Sequence, residues 1–150
     1  MSSQTPGVVM VNVNGQMKPF RKKIRNYAVN IVRSAVASAQ FTGVIQVNPT
    51  EYPFLMQSLH ANDTADGNPM TSQVDMFIGA VDNESGYQWT DGVVPRAAIA
   101  GDRTFGYQFP EEVPVRANTR ITFTVQNPSA APAAGTLTIT LRGWELWPLS

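Results

Sequence analysis

Between Thr119 and Leu146 (TRITFTVQNPSAAPAAGTLTITLRGWEL) the chain has little freedom in how it can fold. Ile121, Phe123 and Val125 alternate with Thr122, Thr124 and Gln126. After a loop, Leu137, Ile139 and Leu141 alternate with Thr136, Thr138, Thr140 and Arg142. Successive side chains of a strand point to opposite faces, so each run has one apolar face and one threonine-rich face. Threonine is β-branched and suits a pleated, half-wetted surface. The connector Asn127–Gly135 is polar, small and proline-bearing, which predicts a surface loop. The stretch reads as two antiparallel strands of a two-layer β domain, solvated on one side.

The remainder of the chain repeats this grammar. Val8–Val13 has strong β character and is closed by the turn signal Asn14-Gly15, so residues 8–24 read as a hairpin or an extended arm. Phe20–Ala39 carries two patterns. Phe20, Ile24, Tyr27, Ala28, Ile31, Ala35 and Ala39 fall at helical spacing, giving a basic amphipathic helix. Tyr27, Val29 and Ile31 also alternate with Ala28, Asn30 and Val32, and the β-branched residues and missing N-cap favour a strand. Phe41–Val47 is a strand, and Tyr52–Leu59 another, with Phe54, Met56 and Leu59 in the core. Asn62–Pro69 is a loop by composition, and Val74–Val81 returns to strand before the turn Asp82–Gly86. Tyr87 and Trp89 lead to a turn at Thr90-Asp91-Gly92, and Ala97–Gly101 is short and small. Thr104–Phe109 alternates aromatics until Pro110 cuts it off, and Pro114–Ala117 leads into the opening element. About eight strands at spacings of eight to twelve residues predict a sandwich or barrel, not a parallel α/β sheet.

Composition removes whole classes of function. The 150 residues are 43% hydrophobic and 15% charged, enough for one domain with a core. With no cysteine there is no disulfide scaffold, thiolate zinc site or cysteine nucleophile, and an intracellular origin is favoured. No signal peptide and no membrane-spanning apolar run is visible. Net charge is zero, but residues 1–50 hold six bases (Lys18, Arg21, Lys22, Lys23, Arg25 and Arg33) and no acid. Residues 51–112 hold ten of the eleven acids against Arg96 and Arg103. Such a split suits a basic arm meeting an acidic partner, with a neighbouring copy of the chain preferred over nucleic acid.

No catalytic constellation emerges, and the chain reads as non-enzymatic, without cofactor or metal. His60 is the single histidine; Ser58 is near it only in sequence, and triads are not sequence-local. Asn62, Asp63, Asp66 and Asn68 around Gly67 offer oxygens to calcium but lack EF-hand spacing, and turns use the same residues. Glu111 and Glu112 are adjacent, hence poorly placed as a carboxylate pair, and beside Pro110 they suit a solvated turn. Tyr87 and Trp89, next to Asp82, Asn83 and Glu84, fit either a sugar-stacking platform or packed aromatics. Trp144 and Trp147 fit interface anchors or packing under the sandwich. FRKKIR, with Lys18, Arg21, Lys22, Lys23 and Arg25, is the strongest electrostatic signal and reads as an arm that docks on another protein.

In layout the chain resembles the small jelly-roll cement or decoration proteins of tailed bacteriophages. The resemblance rests on Gln46–Met56 (QVNPTEYPFLM), with its Pro-Phe after a short turn, and on Asp82–Trp89 (DNESGYQW). It rests also on Phe109-Pro110 followed by Val115–Ile121, and on Leu137–Gly143 ending in Leu-Arg-Gly, and it covers about residues 27–147. It implies an all-β, antiparallel two-sheet sandwich of jelly-roll type spanning residues 26–150, with an N-terminal arm or edge hairpin over residues 1–25. It implies a structural virion protein on the capsid exterior, made in the bacterial cytoplasm, that bridges capsomers and binds the major capsid protein and copies of itself as a dimer or trimer. The same module occurs in phage neck, collar and tail-fibre proteins, so a carbohydrate-binding module of a tail or receptor-binding protein is the alternative.

Overall fold

The computed structural model describes residues 7–47, 54–67, 73–84, 86, 88–101 and 106–149. The elements are β1 (Val8–Val13), β2 (Gln16–Arg33), β3 (Gln40–Gln46), β4 (Phe54–Asp63), β5 (Phe77–Asp82) and β6 (Val94–Pro95). They continue with α1 (Arg96–Ala100), β7 (Tyr107–Val115), β8 (Arg120–Gln126) and β9 (Gly135–Pro148). One sheet has the order β1-β2-β9-β4-β7 and the other β3-β8-β5-β6. Every neighbouring pair is antiparallel. The protein is therefore a two-sheet β-sandwich, nearly all strand, and no helix among the described residues is long and apolar enough to cross a membrane.

The two alternating runs set the core, though not as partners in one ladder. β8 lies between β3 and β5, β9 between β2 and β4. Ile121, Phe123 and Val125 from one sheet, and Leu137, Ile139 and Leu141 from the other, join a single buried cluster with Phe54, Met56 and Leu59. Each such side chain taken from water contributes roughly 1.5–3 kcal/mol. Asn127, expected on a surface loop, is fully buried where the chain leaves β8. Its side-chain amide donates to Ser34 O at 2.7 Å and Val36 O at 3.0 Å, which fixes the turn after β2.

Of the two patterns over Phe20–Ala39, the alternating one wins as far as Arg33. Tyr27 and Ile31 are buried, while Asn26, Ala28, Asn30 and Val32 face out. β2 pairs with β9 from Phe20↔Pro148 to Arg33↔Gly135, a ladder that local helical spacing cannot rival. β2 also runs unbroken through residues 25 and 26. Val8–Val13 folds back on it as a hairpin, with Asn14 at φ 52° and Gly15 at φ 84°. Those positive angles make the two-residue turn whose twist matches antiparallel strands. Residues 16–18 pair with β1 alone, since β9 joins at Phe20 and the Leu149 N–H donates to Pro19 O at 3.2 Å, so the hairpin projects past the other strands of its sheet.

Two expectations fail at the proline-rich strand. β7 continues past Pro110 and Pro114, so Pro110 does not end the strand, although it falls where the ladder with β4 shifts register between Gln108 and Val113. A proline removes one ladder donor, which an edge strand tolerates, and β7 is an edge. Glu111 and Glu112 are accordingly exposed strand residues, not a turn. The short Ala97–Gly101 stretch coils into α1.

Candidate functional site

Where the four-stranded sheet is closed only by the two-residue β6 and α1, the sandwich opens into a cleft of about 670 Å³. Met56 of β4 forms part of its floor, Ile99 of α1 one wall, and Tyr107, Phe109 and Val113 of β7 the other. Tyr107 and Phe109 stand two apart on one strand face, so their rings meet edge-on at 5.2 Å. Trp89 completes the lining, tied down where its N–H donates to Ala80 O at 3.0 Å. Asp82 and Asp91 bring two carboxylates, and no lysine or arginine among the described residues lines the cleft. Asp82 is anchored where Oδ1 accepts the Glu84 N–H at 2.9 Å, while Asp91 is exposed. Apolar walls with a negative rim suit non-covalent capture of an apolar or cationic group. Among the described residues the lining offers no histidine, serine or cysteine to pair as base and nucleophile.

The second surface is the projecting hairpin with the end of β9. Directly paired residues share a face, which puts Met10, Met17, Arg21, Lys23 and Trp147 together. Met10 is 54% exposed, Met17 58% and Trp147 45%. Lys23 Nζ lies 4.5 Å from the Trp147 ring centroid, and Arg25 stacks on Tyr27 at 5.0 Å. On the opposite face Lys22 reaches over Trp144, 5.3 Å from its centroid, to Glu112 of β7 at 2.7 Å. Arg25 is 4.0 Å from Glu145. Lys18, Arg21 and Lys23 have no carboxylate within ion-pair distance among the described residues.

The expected site residues thus divide. Trp144 and Trp147 belong with the basic cluster, each under a lysine, whereas Trp89 belongs to the cleft. Tyr87 and Asn68 lie outside the described residues. Glu84 does not line the cleft. His60 sits within β4 with its ring against the Gly106 backbone, where an added Cβ would lie 2.4 Å from it. Ser58 Oγ is buried without a hydrogen-bond partner among the described residues, so no Ser58–His60 pair forms.

The two aspartates considered for calcium, Asp63 and Asp66, are committed to arginines. Asp63 takes Arg33 Nε at 3.1 Å and Nη2 at 2.9 Å, with both side chains fully buried. Arg33 Nη1 also donates to Asn127 Oδ1 at 3.3 Å, and Gly135 leaves room for the group, since a Cβ there would lie 2.5 Å from Asp63. Asp66 takes Arg96 Nη1 at 2.7 Å and Nη2 at 2.8 Å, and accepts the N–H groups of Asp63 and Val74. Burial pushes the Asp66 carboxyl up, but Arg96 and those two amides outweigh it and hold it below its ordinary 3.8. Arg33 therefore leaves the basic patch that the sequence suggested. Its signal was present: position 33 continues the inward series Tyr27, Val29, Ile31.

Compared with protein-family models, curated proteins and solved structures, the chain matches none.

Proposed function

We propose that the sandwich is a jelly roll bearing a hairpin arm, and that it serves as a non-enzymatic structural virion protein. In this reading it is a cement or decoration protein on the capsid exterior of a tailed bacteriophage, bridging capsomers through contacts with the major capsid protein and with copies of itself. The observation that carries the reading is the strand order, β2-β9-β4-β7 against β3-β8-β5-β6. Two Greek keys wrapped into eight strands give this interleaved order, and such double-sheet folds recur in viral capsid and lectin domains. The hairpin supports an arm role because it reaches past its sheet with exposed methionines, and Lys18, Arg21 and Lys23 have no carboxylate partner among the described residues. The cleft favours a second reading, a carbohydrate-binding module, because Trp89 lines it beside Asp82.

The test is made on particles. Heads assembled in cells that encode the chain are compared with heads from cells lacking it, by mass spectrometry and thermal disruption. Under this proposal the chain travels with purified heads in stoichiometric amounts, and heads without it open at lower temperature until purified chain is added back. Absence of the chain from purified particles sinks the proposal. Its presence only on tails, with retention on glycan arrays, moves the carbohydrate reading forward.

A further inference from the structure

We infer that the β1–β2 hairpin of one copy docks in the cleft of a neighbouring copy, so that assembly runs head to tail. The inference rests on the arm role proposed above and names the arm's partner.

Three observations converge on a second copy as the occupant. The first is charge. The hairpin and its root present Lys18, Arg21 and Lys23 without carboxylate partners among the described residues, and the cleft presents Asp82 and Asp91 with no base among the described residues that line it. A chain of zero net charge whose opposite charges sit on separate elements is complementary to itself. The second is shape and polarity. Met10 and Met17 stand exposed on one face of the hairpin, and methionine is the side chain best able to fill an irregular apolar cleft. The cleft has the volume of a small-molecule pocket and walls of Trp89, Ile99, Phe109 and Val113.

The third observation is how the sheet edges are guarded. β7 carries Pro110, Pro114 and two glutamates, and β6 is two residues long with Pro95. Both are protected against pairing with another chain. β1 (VVMVNV) and β3 (QFTGVIQ) have neither charge nor proline, and both form edges; of the two, β1 is the one carried by the projecting hairpin. An edge of that composition is a hazard unless something covers it. Because hairpin and cleft are different surfaces, their contact is heterologous and generates a ring or a templated shell, not an isologous dimer.

The test uses purified full-length chain, with no shell present, so that it stands apart from the particle experiment. Arg21→Glu/Lys23→Glu makes both surfaces acidic, and Asp82→Lys/Asp91→Lys makes both basic. Sedimentation velocity over a concentration series should show assembly of the wild type, weakening as salt screens the charges. Each variant alone should remain monomeric, and an equimolar mixture should assemble again, since each acidic surface then meets a basic one. As the chain has no cysteine, Met17→Cys mixed with Thr90→Cys should give an intermolecular disulfide under mild oxidation that Met17→Cys mixed with Thr42→Cys does not. Circular dichroism verifies that each variant is folded. A wild type that stays monomeric at every concentration, or variants that assemble as well as the wild type, overturns the inference. Assembly here with no chain on purified heads would instead overturn the virion role alone.

Discussion

At the scale of single residues, the weight falls on two arginines that no surface view of the chain would single out. Arg33 is 1% exposed and Arg96 2%, each locked in a bidentate pair with an aspartate near the end of β4. Arg96 also donates to Ala61 O, tying the first residue of α1 to β4, and so helps set the wall of the cleft. Breaking a buried pair by removing one partner leaves the other charge stranded and costs about 3–5 kcal/mol. Asp66→Asn is therefore expected to lower stability by that order at neutral pH. It should also change the acid limb. The Asp66 carboxyl is held below 3.8 in the folded chain, so it is more acidic there than when unfolded. Its contribution is complete above the unfolded value and is lost as pH falls from there through the folded value. Urea titrations between pH 7 and about pH 2 should show a shallower acid loss in Asp66→Asn than in the wild type. Equal acid slopes would mean that Asp66 is not a source of the pH dependence. These pairs were hard to read from the chain because a strand pattern says which face a residue takes, not what lies across from it. A charged residue at position 33 interrupts the apolar alternation of Tyr27, Val29 and Ile31, although its parity with Ile31 points inward.

At the scale of elements, alternation carried most of the fold. β8, β9, β3 and β5 stand close to where period-two runs of Val, Ile, Leu and Phe placed them, because half-buried strands impose that period on any chain. What alternation does not show is which strands pair, so β8 and β9 looked like one unit and lie in opposite sheets. The cleft was missed for a related reason. Tyr107 and Phe109 were visible as alternating aromatics, but a strand taken to stop at Pro110 leaves Val113 out of the same wall. Edge position, which excuses the prolines, is a property of topology and not of local sequence. The hairpin, by contrast, announced itself through Asn14-Gly15, and it offers a test confined to one element. Gly15 has φ 84°, a conformation costing a residue with a branched Cβ about 1–2 kcal/mol. Gly15→Val should raise amide exchange in β1 and the first residues of β2 while leaving exchange in β8 unchanged, because residues 16–18 pair with β1 alone. Exchange rising equally in β8 would show that hairpin and sandwich open as one unit.

At the scale of the whole molecule, the question is how far the N-terminal segment belongs to the sandwich, and the β2–β9 ladder bears on it where composition does not. The basic residues suggest a boundary after residue 25, but the physical join lies earlier. From Phe20 onward β2 is held on β9, and Phe20 is 3% exposed while Leu146, opposite Lys22, is 1% exposed. Lys22 bridges to Glu112, so residues 20–25 connect β2, β9 and β7 even though most of them are charged. Residues 8–19 make no comparable contribution to the body: β1 reaches the rest of the sheet only through β2. Removing residues 1–15 is thus expected to leave a cooperatively folding sandwich with a small loss of stability. Removing residues 1–25 deletes six rungs of the β2–β9 ladder and uncovers Leu146. Loss of the buried Phe20 side chain alone is of the order of 3–5 kcal/mol by analogy with core truncations, a large share of the 5–15 kcal/mol available to a typical domain. Thermal and urea unfolding of the two truncations, each compared with the full chain, decides between the boundaries. If the chain lacking residues 1–25 melts as cooperatively and at the same temperature as the one lacking 1–15, the charged segment is a true appendage. If it melts far lower, as this ladder predicts, residues 20–25 belong to the sandwich and present Arg21 and Lys23 from it, while the hairpin ahead of Phe20 projects beyond them.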